Sequence, residues 1–477
     1  MEPTAFERTV PDERIVTESL AESRLATFWL DDAAAATWPR YNDVANYDLV
    51  VVGGGFLGLW TALQAKQRDA STRVALLEAR TIGWAASGRN GGFCEATLTH
   101  GEKNGERRFP EELEALDRLG MQNLDEIEQT VWELGLDCDF ERTGSVAVAV
   151  EPYQVAELEA DAFDTNGGAG HTQYFDEKQM QAEITSPTYL AGLWSKRDTA
   201  MVHPGKLAHE LARACANAGV DLFENSPVLT LDSERTGPVV VKLAAGDIRA
   251  KRVALATNAF PSLLKRYRWH TVPVYDYVLM TEPLSAAQLA SIGWKNRQGL
   301  SDLANQFHYY RLTKDNRILF GGYDAIYHFG GRIKPEYEDR AASHRLLASH
   351  FFTTFPQLES IRFTHRWAGV IDTCSRFTAF FGHARGGRVA HAAGFTGLGV
   401  AGTRFAANVM LDQLAGLETE RTSLKMVRSM PIPFPPDPIA WMGVEVSRWA
   451  MNRADHNRGK RNLVLRTLDA VGLGFDS

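Results

Sequence analysis

Short apolar runs separated by polar positions fill most of the chain. The spacing of the apolar residues differs from one segment to the next, and it predicts strands in some segments and helices in others. Residues 48–52 are almost entirely apolar, as in a strand buried on both faces of a parallel sheet. Residues 111–135 and 205–218 repeat apolar positions every three or four residues, which predicts amphipathic helices. Strand-like runs dominate from about 270 to 400. This order predicts an α/β domain interleaved with a second, mostly antiparallel sheet domain.

The first buried run leads directly into a glycine-rich turn. Gly53, Gly55 and Gly58 have the spacing Gly-x-Gly-x-x-Gly, and the next apolar run ends at Glu78. In such a unit the glycines permit a tight turn, the approach of a pyrophosphate and close helix–strand packing. The acid can accept a hydrogen bond from a ribose hydroxyl. The pattern predicts a dinucleotide site with its phosphates at a helix N-terminus, and it does not choose between NAD and FAD.

Residues 397–402 have the same glycine spacing a second time. They follow a predicted strand, Val389–Ala393, and precede a predicted helix near Thr403–Leu414. No apolar strand ending in an acid comes after that helix, so the strand–helix–strand unit is incomplete. We therefore expect this helix N-terminus to face another partial negative charge and not a second dinucleotide.

Length and composition describe an ordinary soluble chain. The 477 residues suggest about three domains, and a net charge of −8 argues against general attraction to nucleic acid. The four cysteines form no Cys-x-x-Cys pair, which favours reduced thiols in the cytoplasm. The N-terminus has no secretory signal pattern, and no apolar run is long enough to span a bilayer.

The C-terminal region has a character of its own. Five prolines between 431 and 438 exclude regular secondary structure there. Residues 439–454 then carry apolar positions typical of an amphipathic helix. Such a helix contacts a membrane or a partner, or it packs on its own domain, and we favour packing.

Several segments beyond the glycine motifs carry a family resemblance. The string Ser-Gly-Arg-Asn-Gly-Gly at 87–92 is the most specific, and the others are residues 254–260, 309–313 with 318–322, 366–369 and 393–400. From about residue 25 to 420 the chain resembles the D-amino-acid oxidase-like (DAO) family of FAD-dependent oxidoreductases. Within that family it is most similar to the γ-glutamylputrescine oxidase branch, with glycine and sarcosine oxidases as more distant relatives.

The resemblance implies a fold and a domain layout. The expected class is α/β, with a Rossmann-like FAD-binding domain interleaved with a mostly antiparallel substrate domain, as in glycine and sarcosine oxidases. The expected boundaries are a leader at 1–45, FAD-binding segments at 46–110, 196–265 and 360–418, substrate-domain segments at 111–195 and 266–359, and a proline-rich and helical tail at 419–477.

The resemblance also implies noncovalent FAD, with backbone amides of 397–400 facing the flavin pyrimidine edge. Cys374 lies near the position of a flavin-linking cysteine in sarcosine oxidases but is offset from it, so a buried inert thiol is expected. For Arg89 and Asn90 the alternative role is to satisfy the backbone of their own loop. The implied cofactor-binding residues are Gly53, Gly55, Phe56, Leu57, Gly58, Glu78, Ala79, Arg80, Ser87, Gly88, Arg89, Asn90, Gly91, Gly92, Val228, Thr257, Gly397, Leu398, Gly399 and Val400.

The implied chemistry is amine oxidation. Hydride passes from the C–H next to a neutral amine to flavin N5, water hydrolyses the imine, and oxygen reoxidises the flavin to give hydrogen peroxide. No metal and no side-chain base are required. Arg311 is the first candidate to bind substrate, through a carboxylate, and Tyr275, Tyr310 and Trp367 are candidates for an amine-receptive wall. The alternatives are a structural ion pair for the arginine and core packing for the aromatic residues.

Other functions stay open at this stage. Sarcosine oxidases have a lysine on the strand that matches Ile318–Phe320, and none occurs here, the nearest being Lys314. An amine dehydrogenase that passes electrons to a quinone or carrier protein is therefore the main alternative. A flavin-bearing subunit without catalysis of its own, and a plain NAD dehydrogenase, are the others.

Overall fold

The computed structural model describes residues 2–165, 171–233 and 237–470. Its strands, in chain order, are β1 (Arg24–Leu25), β2 (Asn46–Val52), β3 (Val74–Leu77), β4 (Phe93–Glu95), β5 (Ser145–Ala149), β6 (Thr172–Phe175), β7 (Ala191–Ser195), β8 (Thr199–Met201), β9 (Asp221–Phe223), β10 (Val228–Ser233), β11 (Val239–Leu243), β12 (Gly246–Leu255), β13 (Val272–Thr281), β14 (Gly299–Asp302), β15 (His308–Leu312), β16 (Ile318–Gly322), β17 (Ile326–Tyr327), β18 (Phe363–Thr373), β19 (Phe380–Ala384) and β20 (Val389–Ala393).

The helices are mostly short and are distributed along the whole described chain. In chain order they are α1 (Ala5–Arg8), α2 (Glu13–Leu20), α3 (Phe28–Asp32), α4 (Phe56–Arg68), α5 (Glu102–Arg108), α6 (Leu113–Leu134), α7 (Pro152–Thr165), α8 (Glu177–Glu183), α9 (Pro204–Asn217), α10 (Ala286–Ile292), α11 (Ala341–Thr354), α12 (Gly399–Ala415), α13 (Glu420–Ser423), α14 (Lys425–Arg428), α15 (Ile439–Asp455) and α16 (Leu463–Ala470).

One sheet, here called the nucleotide sheet, is built around β2. β2 runs parallel to β3 and β12, β3 to β9, and β12 to β20. Val50 and Val51 in β2 are fully buried, as expected for a strand covered on both faces. Helices α4, α9 and α12 contribute to the core cluster on one side of this sheet. Because β2, β12 and β20 are parallel, their carboxyl ends meet at one edge, where ligands bind in sheets of this kind.

The second sheet, here called the large sheet, is mainly antiparallel and has the strand order β1-β18-β13-β16-β15-β14-β5-β7-β6, with β17 also pairing with β13. Helix α11 packs on one face, in a cluster that includes Tyr275, Tyr310 and Phe320. The other face carries Val278, Leu319 and other apolar residues that pack against α3. The fold class predicted from the sequence is confirmed, with a nucleotide-binding α/β unit and a mostly antiparallel sheet. The domain boundaries stay a prediction.

The start of α12 and the structure of the leader differ from what the sequence predicts. Helix α12 starts at Gly399, four residues before the predicted start, so the second glycine turn forms its first turn. The leader contains three helices and a strand, β1, which pairs in parallel with β18. Phe28 and Trp29 of the leader are buried against apolar side chains of the large sheet, and this contact holds the leader in place.

The proline-rich segment has no helix or strand, as predicted, and α15 follows it. Ala440, Ala450 and Ala454 of α15 are buried, whereas Trp441 and Trp449 are among its exposed residues. Within the described residues, no helix combines the length and the apolar character needed to cross a membrane. Val444 of α15 packs against Val272, Val274 and Tyr327 of the large sheet. Contact of α15 with a membrane or a partner is the alternative to such packing, and it stays untested.

The close approach of α4 to β2 generates a stability prediction. A Cβ on Gly58 would lie 1.9 Å from the Gly53 carbonyl oxygen, which is rigid backbone. We expect Gly58→Ala to lower the free energy of unfolding by at least about 2 kcal/mol, because helix and strand must separate. Gly443→Ala is the matched control, since Gly443 also lies in a helix but a Cβ there meets nothing within 4 Å.

Urea unfolding of both variants and of the parent checks this prediction. Gly443→Ala is expected to be neutral or to stabilise the protein by up to about 1 kcal/mol, through helix propensity. Equal midpoints for the two variants would show that the glycine contact does not determine the packing distance.

Candidate cofactor and active site

The first glycine turn ends at the N-terminus of α4, and a serine from elsewhere in the chain reaches it. The Phe56 amide donates to Ser87 Oγ at 2.9 Å. A Cβ on Gly55 would lie 2.8 Å from the same hydroxyl. The turn is therefore bare backbone with a hydroxyl beside it, at the positive end of a helix. This arrangement suits a phosphate group.

Glu78 is buried and its carboxylate holds the turn together. Oε2 accepts from the Gly54 amide at 2.7 Å, and Oε1 accepts from the Arg80 amide at 2.8 Å and from Trp84 Nε1 at 2.9 Å. A carboxylate has about four acceptor positions, so one stays available for a ribose hydroxyl. The Arg80 guanidinium lies 4.2 Å from the Trp84 ring, at the outer side of the same corner.

The segment before β10 passes along this corner. The Ser226 amide donates to the Glu78 carbonyl at 2.8 Å, and the Asn225 amide donates to the Arg80 carbonyl at 2.8 Å. Val228 follows two residues later as the first residue of β10. The structure thus brings Val228 close to the end of β3, where the sequence places the adenosine half of the cofactor.

The loop at residues 87–92, here called the flavin loop, is held by side chains from three distant segments. Trp367 Nε1 donates to the Arg89 carbonyl at 2.9 Å, and Trp29 Nε1 donates to the Asn90 carbonyl at 2.8 Å. Arg311 Nη1 donates to the Gly92 carbonyl at 3.2 Å and to the Val202 carbonyl at 2.6 Å. Buried carbonyls need such donors, so these contacts fix the path of the loop.

Arg89 and Asn90 use their polar atoms within and around this loop. Arg89 donates to the carbonyls of Trp84 and Ala368 and forms an ion pair with Glu338 at 2.6 Å. Asn90 Nδ2 donates to the Ala86 and Ser87 carbonyls, and its Oδ1 accepts from the Gly92 amide. These contacts match the backbone-satisfying role given above as the alternative for both residues.

The second glycine turn lies at the carboxyl end of β20. Gly397 has a φ of 97°, and a Cβ there would stand no closer than 3.9 Å to any other group, the nearest being His100 Nε2. Among the residues that the structure describes, no side chain caps the N-terminus of α12, so the first amides of that helix remain available to a ligand. Near the adjoining end of β12, Thr257 Oγ1 is buried without a hydrogen-bond partner among the described residues.

These features fit FAD. An uncapped helix start, an unpartnered buried hydroxyl and a bare glycine turn lie at the carboxyl edge of one sheet, and each offers donors or space to a dinucleotide. The remaining predicted cofactor residues lie at the same turns and loop: Leu57, Ala79, Gly88, Gly91, Leu398 and Val400. Cys374 is a free, buried thiol whose pKa is raised by burial, and its sulfur contacts the Thr378 and Gly394 carbonyls.

The large sheet presents residues to the flavin loop that the sequence analysis did not identify. A Cβ on Gly91 would lie 2.6 Å from the Tyr309 ring, so the two are in contact. The Tyr309 hydroxyl donates to Asp276 Oδ2, and the ring lies 6.0 Å from the Phe93 ring. Burial raises the pKa of Asp276 to about 7, although the Tyr309 hydrogen bond opposes the shift.

The candidate substrate residues are divided between the two faces of the large sheet. Arg311 and Trp367 lie on the face toward the flavin loop. Tyr310 lies on the other face, where its hydroxyl accepts from Tyr189 at 2.8 Å. Tyr275 lies there too and exchanges hydrogen bonds with the Lys334 backbone. Strand alternation in the sequence could have identified Tyr309 as a residue that faces the flavin loop. In β15, Tyr309 lies on the same face as Arg311, and Tyr310 lies on the opposite face.

Arg311 also borders a cavity of about 190 Å³ on the outer side of the flavin loop. Burial lowers the pKa of Arg311 to about 10, and burial likewise lowers the pKa of His203, on the same cavity, to about 4. The other residues of the lining are Phe28, Trp29, Asp32, Asp139, Lys206, Thr313, Lys314 and Asp315. Residues 2–165, 171–233 and 237–470 hold no cluster of side chains suited to a metal ion.

The indole contacts to the flavin loop generate the next prediction. We expect Trp367→Phe to lower the free energy of unfolding by about 1–3 kcal/mol, because the buried Arg89 carbonyl loses its donor while an aromatic ring is kept. Trp132→Phe is the matched control, since Trp132 is 76% exposed, and its effect is expected to stay within about 0.5 kcal/mol. Thermal unfolding measures both, and equal effects would contradict the proposed role of the indole.

Curated relatives extend over most of the chain. It is 31% identical over 394 residues to gamma-glutamylputrescine oxidoreductase of Escherichia coli (strain K12), with 80% of this chain and 86% of the relative covered. It is 29% identical over 396 residues to the probable oxidoreductase OrdL of Haemophilus influenzae, with 81% and 87% covered.

Solved structures share the fold at lower identity. Glycine oxidase from Geobacillus kaustophilus superimposes with a TM-score of 0.67 at 19% identity, covering 81% of this chain and 99% of that one. L-proline dehydrogenase from P. horikoshii gives 0.65 at 18%, covering 81% and 96%. The model of the DAO family, described as FAD dependent oxidoreductase, matches residues 48–413. The chain therefore belongs to the DAO family of FAD-dependent oxidoreductases.

Proposed function

We propose that this oxidoreductase oxidises an amine at the C–H bond next to nitrogen. A bound FAD supplies the hydride acceptor, flavin N5, and the resulting imine hydrolyses in water to an aldehyde or keto product. The contact of the Tyr309–Asp276 pair with the flavin loop carries this proposal, because it sets a proton-accepting group beside the loop that would hold the cofactor. The 31% identity to gamma-glutamylputrescine oxidoreductase supports the substrate class.

The residues on the loop side of the large sheet suit a basic, partly apolar substrate. The rings of Phe93 and Tyr309 meet at 84°, and aromatic rings attract both alkyl chains and ammonium groups. Asp276 binds the Tyr309 hydroxyl, and its raised pKa lets the pair hold a proton near neutral pH. An ammonium substrate must lose one proton before hydride can leave, and this pair is positioned to receive it.

The proposal keeps the cofactor residues predicted from the sequence and changes the residues assigned to the substrate. We assign the two glycine turns, the flavin loop, Glu78, Val228 and Thr257 to the cofactor. For the substrate we assign Tyr309 and Asp276 to the chemistry, and Arg311 and Trp367 to holding the flavin loop. We place the reaction in the cytoplasm.

Oxygen is the proposed electron acceptor, with hydrogen peroxide as product. One observation favours the alternative, an amine dehydrogenase that reduces a quinone or carrier protein. Strand β16, Ile318–Gly322, carries no lysine, and Lys314 is two-thirds exposed and pairs with Asp139 at 3.1 Å. The lysine that promotes reaction with oxygen in sarcosine oxidases therefore has no counterpart on this strand.

An anaerobic amine screen tests the reaction class. Purified FAD-loaded protein is mixed without oxygen with primary alkylamines, diamines, acylated diamines and N-methyl amino acids, and the flavin absorbance is followed. At least one amine is expected to bleach the flavin within the mixing experiment and to leave an aldehyde or keto product. If dithionite bleaches the flavin and no amine does, the protein is a flavin-bearing subunit without this activity.

The same amine then identifies the acceptor. Turnover in air is expected to yield one hydrogen peroxide per product molecule. Turnover with an artificial acceptor but without peroxide in air would assign the protein to the dehydrogenase alternative.

Two neighbouring tyrosines test which face of the large sheet takes part in the reaction. We expect Tyr309→Phe to slow anaerobic flavin reduction about 100-fold, since the hydroxyl of the proton-accepting pair is lost. Tyr310→Phe is expected to lower the free energy of unfolding by about 1 kcal/mol, because the buried Tyr189 hydroxyl loses its acceptor, while flavin reduction stays within about threefold. Stopped-flow reduction and urea unfolding measure both, and a slow Tyr310→Phe with a normal Tyr309→Phe would reverse the assignment.

A further inference from the structure

The strand that leaves the flavin loop separates its side chains cleanly into two sets. Cys94, Ala96 and Leu98 enter the core cluster formed with the helices of the nucleotide sheet. By alternation within β4, Phe93 and Glu95 face the opposite side. β4 pairs with β8, and Glu95 lies opposite Thr199 in the register. Thr199 in turn contacts Ser145 of the large sheet, which confirms the direction of this side.

Phe93, at one end of β4, contacts Tyr309 of the large sheet. Just beyond the other end, Thr97 and Leu98 line a small gap together with Leu398 and Gly402 of the second glycine turn and α12. Glu95 lies between these two contacts, roughly 7 Å along the strand from Phe93. Its side chain is on the side of β4 that faces the large sheet.

Glu95 has no hydrogen bond and no ion pair to any residue within the described ranges, although protein surrounds it and only part of its surface is open. Burial raises its pKa to about 7, and the neighbouring Asp198 carboxyl raises it further. An unpaired carboxylate in such a place is costly unless a proton or a cation joins it. Buried carboxylates that serve structure have partners, as Glu78 and Glu224 do here.

We propose that Glu95 binds the ammonium group with which the substrate enters, and so selects cationic amines over carboxylate-bearing amino acids. This inference rests on the proposed amine oxidation and names its substrate class. A carboxylate at the same place meets repulsion from Glu95 and Asp198, while the Arg311 guanidinium donates to backbone carbonyls of the flavin loop region. Glu95 holds the ammonium in place, and the proton that must leave before hydride transfer passes to the Tyr309–Asp276 pair, as proposed above.

A pair of unreactive probes tests the charge preference in the unmodified holoenzyme. Tert-butylammonium has no C–H bond next to nitrogen, so it cannot be oxidised, and 2,2-dimethylpropanoate is a carboxylate of similar shape. The shift in flavin absorbance on titration reports binding of each. Tert-butylammonium is expected to bind about 10- to 100-fold more tightly than the carboxylate. Equal or reversed affinities would overturn the inference.

Glu95→Gln then assigns the preference to one residue, because it removes the charge and keeps the shape. We expect its Kd for tert-butylammonium to rise about 10- to 100-fold. Glu111→Gln, the same change at an exposed position, is the matched control and is expected to keep the parent Kd. A Glu95→Gln variant with the parent Kd, or with an altered flavin spectrum before any ligand is added, would show that Glu95 serves the fold or the flavin.

These measurements are independent of turnover. If no amine bleaches the flavin but tert-butylammonium binds through Glu95, the proposed oxidation fails and the cation site stands. If amines bleach the flavin and Glu95→Gln leaves both their KM and the probe affinity unchanged, the oxidation stands and the cation site fails.

Discussion

The buried carbonyls of the flavin loop are the constraint on which the arrangement of the site depends. The carbonyls of residues 89, 90 and 92 are partly or fully withdrawn from solvent between the two sheets, so protein donors stabilise them. Trp367, Trp29 and Arg311 supply these donors from β18, α3 and β15. The leader, the nucleotide sheet and the large sheet are thereby joined at one point, beside the helix N-terminus that suits the phosphates.

Strand alternation decides which side chains of the large sheet face this junction. In β15 and β13, every second residue faces the loop, which selects Tyr309 and Asp276 and leaves Tyr310 and Tyr275 in the aromatic core under α11. Charged groups on the loop side have few partners and little solvent, so burial raises the pKa of Asp276 and of Glu95 toward neutrality. Such carboxyls exchange protons readily with an amine near neutral pH, which a solvated carboxylate with its low pKa does not.

The two glycine turns serve one cofactor because parallel strands bring them to one edge. β2 and β20 are far apart in the sequence, yet both flank β12, and their carboxyl ends point the same way. Helices α4 and α12 therefore direct two positive N-termini toward the same edge of the nucleotide sheet, where the proposed cofactor site lies.

The sequence by itself determined the dinucleotide motif with Glu78, because the parts of that motif lie within about 30 residues and show in their spacing alone. The fold class followed from the order of apolar runs, and the family and FAD followed from the resemblance carried by segments between about residues 25 and 420. Only the tertiary structure decided the active face. Tyr309 and Tyr310 are neighbours in the sequence, and long-range pairing of β15 with β14 and β16 decides which of them contacts the flavin loop. Trp29 of the leader donates to the flavin loop, and the Glu95 carboxylate has no partner among the described residues. The nearby sequence indicates neither contact nor its absence, because burial and pairing depend on segments that come together only on folding.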